Sequence, residues 1–221
     1  MTGICISTGE YKWIGKAAAD RMGEMTGLDC IIIDEVFCEV PHPSWIKAKL
    51  IDHFPEIDSF LVFDSDIICL QPWQPEALFE ELHRPFMAVP DDRSNNVLHE
   101  CVNLEIPFPD FYVNGGLTIF GREHKPVWDA VWKCHPKCGR WLEQGALNLA
   151  LLETGVEVCR LPRRFNYLAH GGTMTPQQAK DLNIVNYHAC SIGNAIGVRE
   201  VQERFGLYDH HKNPTEPTTV A

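Results

Sequence analysis

The sequence predicts an α/β domain, a mixed and mainly parallel central sheet flanked by helices. Three observations carry that expectation. The chain opens on a strand-like run, a helical run and a second strand-like run, the pattern of a parallel crossover unit. The run Phe60-Leu61-Val62-Phe63 is apolar without alternation, as a strand buried on both faces is. The 221 residues, 45% hydrophobic and 22% charged, suffice for one sizeable core, and no linker or internal repeat divides them.

Ile4 to Ser7 reads as the first strand, and Thr8-Gly9-Glu10-Tyr11 as a turn with Thr8 placed to cap a helix. Lys12 to Met25 has helical spacing, with Trp13, Ala17, Ala18 and Met22 on one side and Gly27 as its stop. Asp29 to Asp34 is the second strand. The loop between lacks Gly-X-Gly-X-X-Gly, so a dinucleotide fingerprint is absent. Tyr11 there either stacks on a base or is a half-buried aromatic at a helix start. Pro43-Ser44 opens a helix over Trp45 to Phe54 that carries Lys47 and Lys49. After the acidic strand come a short helix, Glu76 to Leu82, and a strand, Phe86 to Pro90, that delivers Asp91 and Asp92 to a loop. Arg93 to Pro109 has no clean period and reads as a surface excursion. Asn114-Gly115-Gly116 interrupts the strand-like run Phe111 to Phe120, as either a hairpin turn or a bulge where a ligand approaches the backbone. Helices follow over Pro126 to Cys134 and Trp141 to Leu152. Then come a short strand from Val156, a polar-aromatic loop Arg163 to Tyr167, and a last strand, Ile184 to His188.

The net charge of −11 argues against broad phosphate-backbone binding, so nucleic acid is not an expected partner. No transmembrane span or signal peptide is read, and the nine scattered cysteines lack a Cys-X-X-Cys pair. Cys134 and Cys138 flank His135 but lack the second ligand pair a zinc site needs. A cytoplasmic protein with reduced thiols is the expectation.

The chemistry concentrates where the doubly buried strand ends. Asp64-Ser65-Asp66 closes it before Ile67-Ile68-Cys69-Leu70 resumes. Two carboxylates cannot enter a core uncompensated. In open α/β sheets the ends of the strands are where ligands bind. At i and i+2 of an extended chain both side chains can reach one hard cation, Mn²⁺ or Mg²⁺, which commonly bridges to a phosphate. The bland alternative is a strand followed by an acidic turn.

These pieces, in this order, resemble the GT-A glycosyltransferases of family 8. The resemblance runs from Ile4 to about Gly193 and rests on the tyrosine loop, Lys47, Asp64-Ser65-Asp66, Asn114-Gly115-Gly116, Glu143-Gln144-Gly145-Ala146-Leu147-Asn148, Arg164-Phe165-Asn166 and His188. It implies a Rossmann-like nucleotide-diphospho-sugar transferase domain, assigned to residues 1–207; the stretch 208–221, with His210, His211, Pro214 and Pro217 among threonines, reads by composition as a loosely ordered tail. The resemblance implies Mn²⁺ (or Mg²⁺) on Asp64, Asp66 and His188, a UDP-sugar donor and a glycan or other hydroxyl acceptor. Donor contacts fall to Ser7, Thr8, Tyr11, Lys47, Asp64, Ser65, Asp66 and Gly116, with the Tyr11 ring on uracil. The reaction centre falls to Asp91, Asn114, Glu143 and Gln144. The family follows its histidine with Gly-X-X-Lys-Pro-Trp; here His188 precedes Ala189-Cys190-Ser191-Ile192-Gly193-Asn194, without the lysine that holds the diphosphate. Lys47, Arg163 and Arg164 are the candidates to replace it. The expected activity is retaining transfer of a hexose, from UDP-glucose or UDP-galactose. The alternatives are a domain that binds a sugar nucleotide without transfer, and a phosphatase of the haloacid dehalogenase type, which also ends a strand in Asp-X-Asp.

Overall fold

The computed structural model describes residues 1–40, 42–91, 98–99, 101–102, 112–134, 143–169, 174–190, 192 and 194–207. Asp92, most of the excursion after Arg93, His135, Cys138, Trp141, Gly193 and the tail from 208 lie outside the described residues. The strands are β1 (Thr2–Ile6), β2 (Cys30–Ile33), β3 (Ser59–Asp64), β4 (Ile67–Cys69), β5 (Phe86–Pro90), β6 (Val113–Gly121), β7 (Val158–Arg160), β8 (Tyr167–Leu168) and β9 (Asn186–His188). The helices are α1 (Gly15–Thr26), α2 (Leu50–His53), α3 (Pro75–Glu81), α4 (Lys125–Cys134), α5 (Glu143–Thr154), α6 (Pro176–Asp181) and α7 (Ala195–Arg204). A six-stranded sheet has the order β2-β1-β3-β6-β5-β7, and a three-stranded sheet has the order β4-β9-β8. This is the mixed α/β architecture expected. Among the described residues no helix is long and apolar enough to cross a membrane.

The chain divides into two compact units, the first of Met1–Thr2, Val36–Val62 and Gln74–Arg163, the second of Gly3–Glu35, Phe63–Trp73 and the residues from Arg164 on. In the second unit β1 and β2 pair in parallel, with Ile4 opposite Ile31. The helix between them ends at Gly27, whose φ of 75° suits glycine and whose amide caps the Gly23 carbonyl. Thr8 is extended before a 3₁₀ turn, Gly9–Tyr11, and makes no side-chain cap. The expected helix from Lys12 therefore starts later, at Gly15. Ile14, Ile68, Ile184, Tyr187, Ala195, Val198 and Val201 form this unit's core.

In the first unit β5 runs antiparallel to β6 and parallel to β7. Phe120 stacks on Phe60 (5.2 Å) and Phe86 (5.9 Å) and packs at 4.9 Å from Trp128. Each such buried ring contributes about 1.5–3 kcal/mol of transfer free energy. The segment expected as a helix from Trp45 is a 3₁₀ helix, Pro43–Lys49, running into α2. Its tighter turn buries Trp45, Ile46, Lys47 and Ala48 in succession, so Lys47 points inward, away from solvent. Asn114-Gly115-Gly116 is not a hairpin: it lies inside the unbroken strand β6.

Candidate functional site

Asp64 closes β3, Ser65 and Asp66 make the turn, and β4 begins at Ile67. The Ser65 amide donates to the Ile6 carbonyl (3.1 Å), tying the acidic turn to the end of β1. Ile67 stands opposite His188 in the β4–β9 ladder, and the Ala189 amide donates to the Asp66 carbonyl (2.9 Å). These backbone ties bring His188 Nε2 to 3.3 Å from Asp66 Oδ1. One ligand atom from each of Asp64, Asp66 and His188 lies within 4.8 Å of the others. His188 is 4% exposed, and its Nδ1 is 2.9 Å from Asn166 Oδ1. An amide oxygen only accepts, so Nδ1 carries a proton, and the neutral form of the ring presents the Nε2 lone pair to the carboxylates. A ring fixed in this way is the usual second support of a metal-ligating histidine. Two carboxylates and one imidazole lone pair fit a divalent cation.

The β1–α1 loop belongs to the same unit. Ser7 is fully buried; its amide donates to the Ile33 carbonyl (2.9 Å) and its Oγ to the Tyr11 carbonyl (2.6 Å). Tyr11 is half-buried, and burial raises its phenol above the ordinary value, with Asp66, Glu10 and Asp64 adding in the same direction. The phenol is thus neutral, with carboxylates in its surroundings. Cys5, 0% exposed, is raised well above the ordinary thiol value by burial and then by Asp64, so it is no nucleophile here.

The first unit holds a buried polar cluster of its own residues. Asp91 Oδ2 accepts from Asn114 Nδ2 (3.1 Å) and from Gln144 Nε2 (3.1 Å). Asn114 Oδ1 accepts from the Gly116 amide (2.9 Å), and Gln144 Oε1 from the Gly115 amide (2.9 Å). Lys47 Nζ donates to the Gly115 carbonyl (3.0 Å) and to Glu143 Oε1 (2.9 Å). A β-carbon on Gly115 would meet Gln144 Cβ at 3.4 Å, so the glycine admits the helix closely. Asp91, Asn114, Gln144, Glu143, Lys47 and Gly116 thus meet within one network in this unit. Asp64, Asp66, His188, Ser7, Ser65, Thr8 and Tyr11 all lie in the second unit.

Asn166 and Asn148, to which the sequence motifs attach no role, both make structured contacts. Asn148 follows Gln144 by one helical turn on a helix buried over residues 143–151, so its polar side chain needed a partner. The basic residues proposed to replace the missing lysine are otherwise engaged in part: Lys47 as above, and Arg164 with its guanidinium 5.1 Å from the Phe165 ring.

This architecture is the GT-A glycosyltransferase fold. The galactosyltransferase LgtC, solved with donor and acceptor sugar analogues, matches at 15% identity over 99% of this chain and 98% of its own, with a TM-score of 0.61. The bifunctional glycosyltransferase WbbM matches at 12% identity over 88% of this chain and 46% of its own, TM-score 0.66. A glycosyltransferase involved in glycosylation of the major capsid of PBCV-1 matches at 12% identity over 92% of this chain and 100% of its own, TM-score 0.60. No family model and no curated protein matches the chain. At these identities the likeness is one of fold.

Proposed function

We propose that the chain is a metal-dependent glycosyltransferase that moves a hexose, with retention, from UDP-glucose or UDP-galactose to a hydroxyl of a glycan or other acceptor. The observation that carries this reading is the convergence of Asp64, Asp66 and His188 within 4.8 Å, on a fold shared with glycosyltransferases. The carboxylates suit Mg²⁺ or Mn²⁺, and the imidazole favours Mn²⁺ of the two. Bound there, the ion would offset the negative charge that gathers on a departing diphosphate.

The chain's own residues supply the rest. Asp64, Asp66 and His188 would hold the ion, with Asn166 keeping the His188 ring oriented toward it. Tyr11 offers a neutral ring to the uracil. Asp91, whose Oδ2 accepts from two carboxamide donors, suits a sugar's hydroxyls and the positive character that develops at its anomeric carbon. Neither Glu143, paired with Lys47, nor Gln144, which donates to Asp91, is assigned as a nucleophile. A second reading, sugar-nucleotide binding without transfer, is favoured by the absent lysine after His188 and by the engagement of Lys47 with Glu143.

Calorimetric titration of UDP with Mn²⁺ and then with EDTA tests the proposal. Binding is expected with Mn²⁺ only. Asp66→Ala should weaken it by more than the roughly 10–100-fold typical of losing an outer-shell partner. UDP-glucose and UDP-galactose turnover then separates transfer from binding alone. Wild-type Mn²⁺-dependent binding in Asp66→Ala would sink the assignment.

A further inference from the structure

We propose that Asn148 is a positioning residue for the Asp91–Asn114–Gln144 cluster, its carboxamide standing in for a neighbouring strand of β6. In a β-ladder a residue exchanges its N–H and C=O with a partner backbone. Val113 exchanges both with one side chain: its amide donates to Asn148 Oδ1 (2.8 Å), and Asn148 Nδ2 donates to its carbonyl (3.0 Å). A carboxamide carries the same donor and acceptor as a peptide unit, so the substitution is chemically close. Asn148 Nδ2 also donates to the Gln144 carbonyl in its own helix (2.8 Å), which uses its second N–H. Any rotation of the carboxamide breaks several bonds at once.

The backbone here needs such a partner. Ala88 pairs with Thr118 and Pro90 with Val113, so the β5–β6 ladder is bulged between these pairs. The Asp91 amide donates to the Tyr112 carbonyl, so Tyr112 faces β5 and Val113, the next residue, turns its N–H and C=O to the opposite side. Buried backbone groups on that side must find partners elsewhere. Helix α5 provides them in register. Asn148 takes Val113, and Gln144, four residues earlier, takes the Gly115 amide (2.9 Å). Four helical residues rise about 6 Å. Two strand residues span about 6.8 Å. The two spacings match closely enough for one helix to bond alternate residues of the strand. With Val113 fixed, Asn114 and Gln144 both reach Asp91 Oδ2. Asn148 itself makes no contact with Asp91 among these bonds; it acts through the two side chains that do.

The consequence for sugar transfer rests on the transferase reading above; the consequence for the backbone does not. Asn148→Ala and Asn148→Asp are the test variants, with Asn148→Ser, which keeps a hydroxyl for the Val113 amide, carrying the test if neither folds. Amide hydrogen exchange in Asn148→Ala should accelerate at Val113 and Gly115 by about tenfold or more, the scale of one lost buried hydrogen bond. Thr118 to Phe120 should remain protected. Asn148→Asp keeps the acceptor for Val113 but sets a carboxylate against two carbonyls. Both variants should bind UDP with Mn²⁺ within about twofold of wild type, while kcat for the UDP-sugar falls about tenfold or more. Unchanged exchange at Val113 and Gly115, or unchanged kcat and KM in every folded variant, would overturn the proposal. A wild-type chain that turns over no UDP-sugar would remove the transferase reading and leave the exchange result to decide the role of Asn148.

Discussion

A lysine with 1% of its side chain exposed holds its charge only where acceptors meet it, and Lys47 meets the Gly115 carbonyl and Glu143. Glu143 in turn is 11% exposed at the side chain. Removing one member of such a pair strands the other's charge at low dielectric, which costs about 3–5 kcal/mol, whereas apolar replacement of both is often neutral. Lys47→Met should therefore destabilise by about that amount, and Lys47→Met with Glu143→Leu should recover most of it. Urea unfolding of the wild type, both single variants and the double variant measures this as a thermodynamic cycle. A double variant no more stable than Lys47→Met would mean that the pair is not the unit. Because the resemblance puts Glu143 at the reaction centre, recovered stability should come without recovered turnover. Arginine at 47 is no conservative test, since a planar fork replaces a compact ammonium.

The elements carried the legible part of the site. The doubly apolar strand before Asp64 pointed to a sheet end, and the order of motifs to His188. The partners of these residues were less legible because their spacing follows topology: Asn166 meets His188 across 22 residues, and Lys47 meets Glu143 across 96. The 3₁₀ geometry of Pro43–Lys49 was missed for a local reason: over so few residues, apolar positions fit either helical period. Asn114-Gly115-Gly116 left turn and bulge both open because the same residues suit either, and what decides for the bulge is a backbone held by distant side chains. The β1–α1 junction shows a similar close approach. A β-carbon on Gly15 would lie 2.2 Å from Ser7 Oγ and 2.3 Å from Ser7 Cβ. Alanine would add about 1 kcal/mol of helix propensity. The overlap involves a Cβ that cannot swing away, and overpacking costs about 1–3 kcal/mol. Gly15→Ala should thus lower the melting temperature, and Ser7→Gly in the same chain should restore part of the loss. A higher melting temperature for Gly15→Ala would mean that the strand and helix separate readily, and that the Ser7–Tyr11 bond does not fix the loop.

At the scale of the whole molecule, an acidic chain with ten histidines and thirty carboxylates gains protons as pH falls. His124 is a group whose titration folding alters. Its ring is 8% exposed, packs edge-on to Phe86 at 5.6 Å, and accepts the Gly121 amide at Nδ1 (3.1 Å). Burial lowers its pKa from the ordinary 6.5, outweighing the opposing pull of Glu123. The unfolded chain then binds a proton more readily than the folded one. Between the depressed value and 6.5 unfolding takes up protons, so stability rises with pH through that window. Its contribution is complete above about pH 6.5 and is lost as pH falls through the window, levelling off below the folded value. His124→Asn keeps an acceptor for the Gly121 amide and removes the titration. The stability of wild type relative to this variant, from urea unfolding at matched ionic strength, should decline between pH 7.5 and 5.5. The other titrating groups are common to both chains and cancel in that difference. A relative stability that rises on acidification would mean that His124 gains a proton on folding, and that the Glu123 carboxylate rather than burial governs the ring.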